Sequence, residues 1–272
     1  MNATAATTTL VSAAYPYLIA AAVAVARALG LVIVTPAFTR LGMTGLLRSS
    51  VAAVISLPLV PAILDAMTAT PLSSAIIAGL VIKEMLIGAV VGMAFGIPFW
   101  AAEAAGDLVD LQRGSTAAQL LDPLALAESN ITATLLTVTL VALFFMTGGF
   151  SLLLAGLYDS YGLWPATSFT PVLGADAVAP LLRVLDRIMQ ISLLMVAPIV
   201  IGLLVADIAL GFLSRMTPQF HVFDLSLAVK NLLFTFLMAV YAVFLMPVML
   251  SQIGTLNDAF ELLRRLAGGG AP

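Results

Sequence analysis

Thirty consecutive residues, 129–158, carry no charged side chain, and this run constrains the fold more than any other feature of the chain. A helix rises about 1.5 Å per residue and a bilayer's hydrocarbon core is about 30 Å thick, so about 20 apolar residues complete one crossing. Within lipid every backbone N–H and C=O must find its partner inside the protein, which makes such runs helical by default. Of the 272 residues, 62% are hydrophobic and 9% charged, with a mean hydropathy of +1.14; a water-soluble domain carries about 25% charged residues. The expected fold class is an all-α integral membrane protein, with residues 1–272 forming a single membrane domain.

Charge-free runs place about six hydrophobic helices. The first covers residues 10–38 and is interrupted by Arg27; the second, 49–64, contains Pro58 and Pro61, which should kink or end it. A third opens after Pro71 and runs to residue 102 with Lys83 and Glu84 inside, and a polar, loop-like segment, 103–128, follows. The charge-free run 129–158 is the fourth. Residues 159–180, with Tyr161, Trp164, Pro165, Pro171 and Gly174, read as a loop near a membrane interface. Helices over 181–214 and 226–252 are joined by the turn RMTPQFHVFD, and a tail, 255–272, ends in a flexible GGGAP. Lys/Arg bias should orient the spans, but Arg40, Arg48, Arg113 and Arg215 fall on one side and Arg183, Arg187, Arg264 and Arg265 on the other.

Composition also excludes classes of function. There is no cysteine, so no disulfide or thiol chemistry. The first charge is Arg27, so the N-terminus lacks the basic region of a cleavable signal, and residues 10–26 read as a retained span. With a net charge of −3 there is no basic surface for nucleic acid. No GxxxxGK[ST], HExxH or GxSxG motif occurs, and the single histidine, His221, lies in a turn. No enzyme activity, metal or cofactor is expected.

The polar residues from Lys83 to Pro123 stand out against this background. If the helix continues through Pro98, then Glu84, Gly88, Gly92, Gly96, Glu103, Asp107 and Asp110 fall within an arc of about 140°. A carboxylate at mid-membrane costs about 2.5–3.5 kcal/mol, so Glu103, Asp107 and Asp110 together must face protein or water rather than lipid. Their i, i+4, i+7 spacing fits a helix along an aqueous path or one emerging into water, and the plain alternative is a surface loop, which Gly106, Gly114 and Ser115 also suit. Gly88, Gly92 and Gly96 form a small-xxx-small stripe for close helix packing, within the chain or against another subunit. Lys83 and Glu84 point about 100° apart, so each is expected to need its own partner. Asp207 and Lys230 are similar cases, each expected to need a partner, with snorkelling to headgroups as the plain alternative.

The succession KE..IG..VG, PFWAAEAAGDLVDLQRG, LDP, FFMTGGFSLLLAGLYDSYGLWP and ADIALGFLSRMTPQFHVFDLSLAVK resembles the T subunit of the type III secretion export apparatus, the family that includes the flagellar export protein FliR. The resemblance covers residues 83–250, and the Gln112-Arg113-Gly114 triplet is more similar to the injectisome branch than to the flagellar one. His221 stands where the family has Asn. The resemblance implies hairpins of helices that pack with R and S subunits, and with the U-type switch protein as a further partner, into a helical ring. That ring is an entry portal for unfolded secreted substrates in the bacterial inner membrane. It further implies a pore plug or gate over Gly106, Asp107, Asp110, Gln112, Arg113, Gly114, Asp122 and Pro123. Lys83, Glu84, Gly88, Gly92, Gly96 and Glu103 then belong to helix packing or a subunit interface, and Arg215, Pro218, Gln219, Phe223 and Lys230 to an inter-helix turn. A secondary transporter or channel with a relay through Lys83, Glu84, Glu103, Asp107 and Asp207 is the alternative, although no inverted repeat supports it.

Overall fold

The computed structural model describes residues 3–68, 73–114, 130–169, 178–217 and 222–267. Among these the chain is helical: α1 (Ala3–Val34), α2 (Pro36–Thr39), α3 (Gly45–Ser56), α4 (Val60–Thr68), α5 (Ser74–Arg113), α6 (Ile131–Met146), α7 (Gly149–Leu163), α8 (Val178–Met216), α9 (Val222–Gly254) and α10 (Asn257–Leu266). Five helical stretches are long and apolar enough to cross a membrane, or six if the bent pair α6 and α7 counts as one span. This is the all-α, multi-pass membrane protein expected from the charge-free runs.

Several boundaries differ from expectation. The run 129–158 is two helices meeting at 75°, because Gly148 takes φ +84°, a left-handed conformation that a side chain disfavours and that ends α6. The segment expected to loop from residue 103 is helical as far as Arg113, since α5 continues through Pro98. A proline deletes one ladder bond, but neighbouring helices re-satisfy the freed carbonyl in membrane proteins. Residues 159–163 are the last turn of α7, and Trp164 after it is 1% exposed, a core residue rather than an interfacial one. The tail holds a further helix, α10, whose Ala259, Leu263 and Leu266 are buried and which packs on α7. Pro58 lies in a short 3-10 turn, Leu57–Leu59, that separates α3 from α4, as the proline pair predicts.

The chain divides into two compact units: residues 1–96, 148–184 and 256–272, and residues 97–147 and 185–255. In the first, α1 packs on α3 and α4 around Ala20, Val23, Ala24, Ile63 and Ala166. The opening half of α5 lies directly against α1: a Cβ at Gly88 would overlap the Arg27 carbonyl, and one at Gly92 would sit 2.7 Å from the Leu31 carbonyl oxygen. The stripe of Gly88 and Gly92 thus serves packing inside the chain. Gly96 is buried as well.

In the second unit a Cβ at Gly106 would overlap the backbone of Ala133, so α5 and α6 touch main chain to main chain. Phe99 and Phe144 meet edge to face at 5.4 Å, and Tyr241 of α9 donates to the Met195 carbonyl of α8 at 3.1 Å. Without a hydrophobic drive between helices in lipid, close contacts of this kind supply the association energy.

Replacing Gly88 by Ala should cost about 1–3 kcal/mol through overpacking, whereas Gly211→Ala, with nothing within 4 Å of the new methyl, should be neutral or slightly stabilising. Thermal midpoints of the purified protein in detergent check this pair.

Candidate functional site

Two polar centres interrupt the apolar packing, one in each unit. The first forms where α1, α5 and the C-terminal end of α7 meet. Arg27, fully buried, donates from Nε to Glu84 Oε2 at 2.5 Å, from Nη1 to Ser160 Oγ at 2.9 Å and from Nη2 to the Trp164 carbonyl at 2.7 Å. Its guanidinium also stacks 3.5 Å from the centre of the Tyr161 ring. Lys83 gives its three ammonium hydrogens to the carbonyls of Pro165 (2.8 Å), Ala166 (3.1 Å) and Ser168 (2.9 Å). Glu84 Oε1 lies 2.8 Å from Lys83 Nζ, an ion contact rather than a hydrogen bond because those hydrogens are committed.

Lys83 and Glu84 therefore do pair, contrary to the expectation from helical angles. A lysine stem is long enough to bend back to its neighbour when both are excluded from water. Two buried cations surround one carboxylate, and the excess positive charge sits against carbonyls at the C-terminus of α7, where the helix dipole is negative.

The roles of Arg27, Ser160 and Trp164 in this centre are not read from the sequence, where Arg27 only interrupts a span and Trp164 marks an interface. A signal for Arg27 was present: a lone arginine inside an apolar span needs a buried carboxylate, and Glu84 lies in the next long apolar run but one. The DSYGLWP element that carried the family resemblance is the α7 terminus that receives the cations.

The second centre is the C-terminal end of α5. Asp110, also buried, accepts from Thr132 N at 3.0 Å and Thr132 Oγ1 at 2.6 Å, and pairs with Arg113 at 2.6 Å. Asn130 makes no capping bond to α6; its amide instead donates to Asp107 Oδ1 at 2.6 Å. Asp110 of α5 thus takes over the orphan N–H and the positive dipole end of α6. Glu103, half-buried, lies one turn before Asp107.

Beyond Asp110, Gly114 takes φ +75° and closes α5 with a bond to the Leu111 carbonyl at 3.1 Å. Lys230 of α9 donates to the Gln112 carbonyl at 3.0 Å and pairs with Asp207 of α8 at 2.5 Å. Asp207 and Lys230, each expected to need a partner, satisfy each other.

The sequence-derived residues thus split. Lys83 and Glu84 join the first centre, and Asp107, Asp110, Gln112, Arg113, Gly114 and Lys230 converge in the second. Gly106 is the close-contact point of α5 with α6. Arg215 ends α8 and is exposed. Phe223 belongs to α9 rather than to the turn, with its side chain outside the described set. Asp122, Pro123, Pro218, Gln219 and His221 lie outside the described residues. Glu84, Asp107, Asp110 and Asp207 are each bound by a protein cation or donor, an arrangement of structural anchors more than of a proton relay. No cluster of metal-binding side chains occurs among the described residues.

A multi-pass helical membrane protein with buried charge centres and no catalytic constellation among its described residues is the class these observations define. Residues 18–256 match the bacterial export proteins, family 1, and the chain belongs to that family. It is 34% identical over 181 residues to Yop proteins translocation protein T of Yersinia pestis, covering 66% of this chain and 69% of the relative. To the secretion system apparatus protein SsaT of Salmonella typhimurium it is 31% identical over 220 residues, 80% of this chain and 84% of the relative. The flagellar biosynthetic protein FliR of Caulobacter vibrioides is 27% identical over 203 residues, 75% of this chain and 80% of the relative.

Glu84→Gln strands two buried cations and should destabilise the protein by about 3–5 kcal/mol, while Arg27→Met in the same background should recover part of that loss. Melting of the single and double variants in one detergent tests it. Asp110→Ala, which removes an N-terminal anchor of α6 and leaves Arg113 unpaired, should cost about 1–3 kcal/mol in the same assay.

Proposed function

We propose that this chain is a membrane subunit of a type III protein secretion export apparatus, in the bacterial inner membrane, acting with R and S subunits as the entry portal for unfolded substrates. Membership of an export family, with relatives named for translocation and secretion, supports the export role. Higher identity to those relatives than to the flagellar one favours an injectisome.

Helix length supports assembly with other subunits. α5 has 40 residues and α8 has 39, which at 1.5 Å per residue is about 60 Å, twice the thickness of a hydrocarbon core. Apolar faces therefore continue beyond the lipid, and partner subunits are what would cover them. α9 illustrates the exposed surface involved, with Leu232, Phe236, Val243 and Phe244 all more than 60% exposed.

Within the portal we assign Gly106, Asp107, Asp110, Gln112, Arg113 and Gly114, with Asp122 and Pro123 outside the described residues, to a pore plug. The observation that supports this is the convergence of polar groups at the end of α5, where Asp107 holds Asn130 and Asp110 holds both Thr132 and Arg113. Asp107 and Asp110 act in this reading as the root of the plug and not as its tip.

Co-expression with neighbouring export genes and native mass measurement should yield one copy of this chain with several copies of two other small hydrophobic proteins; a lone monomer or symmetric homo-oligomer would count against the portal. Deleting residues 107–114 in the assembled complex should make membranes leaky to small solutes, and unchanged permeability would remove the plug.

A further inference from the structure

Three consecutive residues at the end of α5 each meet a different residue of α9. The Gln112 carbonyl accepts from Lys230, the Arg113 guanidinium lies 4.8 Å from the centre of the Phe234 ring, and a Cβ at Gly114 would stand 2.8 Å from Leu227 Cδ2. Leu227, Lys230 and Phe234 have i, i+3, i+7 spacing and so share one face of α9. We propose that these three residues form a seat that positions Gln112, Arg113 and Gly114, with Asp207 as the counter-ion that holds the Lys230 ammonium in place.

The three contacts differ in kind and complement one another. The last carbonyls of a helix have no intrahelical donor, and the C-terminal dipole favours a cation there, so Lys230 satisfies both needs at once. Phe234 takes the flat face of a guanidinium whose edge is already committed to Asp110. Leu227 packs closely on the Gly114 Cα, and the same glycine supplies the left-handed turn. Lys230 is itself only 15% exposed, and on an apolar helix such a charge needs a partner, which Asp207 provides from α8.

The seat also reaches the far side of the segment it borders. Arg113 pairs with Asp110, and Asp110 holds Thr132 at the start of α6. α9 thus fixes Gly114 directly and α6 through two further residues. The inference deepens the plug reading and rests on it only for the effect on permeability and export; the contacts themselves are independent of it.

The absence of cysteine makes a crosslink the direct test, carried out on the assembled complex in membranes. Gly114→Cys with Leu227→Cys should form an intrachain disulfide under mild oxidation in most of the population, blocking substrate export until reductant is added. In parallel, Lys230→Met should raise solute leak several-fold and Lys230→Arg should restore tightness, because arginine still donates to the carbonyl. The swap Lys230→Asp with Asp207→Lys re-forms an ion pair but puts no donor at position 230, and should stay leaky; a tight swap would mean the pair serves only to join α8 and α9 and would overturn the seat. No disulfide in folded, assembled complex would also overturn it, whereas wild-type tightness of Lys230→Met beside a formed disulfide would remove the plug reading alone. A high-yield disulfide that changes neither export nor leak would uphold the seat and remove the plug reading. Should the cysteine pair fail to assemble, the swap decides by melting temperature: a seat lowers it because the Gln112 carbonyl loses its donor, and a pair that serves only α8 and α9 leaves it at the wild-type value.

Discussion

A carboxylate with no water around it has to be neutralised by protein, and Glu84 is held between two cations, Arg27 at 2.5 Å and Lys83 at 2.8 Å. The first unit is organised around this group. Arg27 ties α1 to α5 and to the end of α7, and Lys83 grips three carbonyls of the chain that follows α7. Each ion has a high desolvation cost, so the centre contributes less to net stability than to uniqueness: any other pairing of these helices would leave a buried charge alone. The glycine contacts of α5 with α1 serve the same end, since only direct backbone approach brings Arg27 within reach of Glu84.

The second unit uses charge differently. Asp107 and Asp110 serve the start of α6, where partial charges are exposed and cannot be satisfied by the helix itself. Asp110 serves the start of α6, and Lys230 serves the end of α5. Helix-end pairing of this kind fixes the last turn of α5 to both α6 and α9. Acidity in this stretch therefore reflects anchoring, with no carboxylate needed as a proton carrier.

Much of this was legible in the sequence. Charge-free runs announced helices and their number, since lipid leaves the backbone no other option. The small-xxx-small spacing announced that Gly88 and Gly92 would meet another backbone, and the cost of buried carboxylates announced that Asp107 and Asp110 would face protein or water. Partner choice was not legible. Lys83 pairs with its neighbour because its carbonyl partners lie 82–85 residues away, and Arg27 finds Ser160 across 133 residues. The helical extension to Arg113 stood beside a loop reading, because Gly106 looks like a loop signal until Ala133 is seen packed on it.

Composition and periodicity by themselves determined that the chain is a bundle of membrane helices, and its motifs placed it among bacterial export proteins. Those properties depend on local sums: transfer free energy along each run, and spacing around each helix. Tertiary structure alone decided which charges meet, where α5 ends and which side chains of α9 hold that end. Such choices depend on distances between residues far apart in sequence, and a buried ion has no preferred partner until folding brings one within about 3 Å.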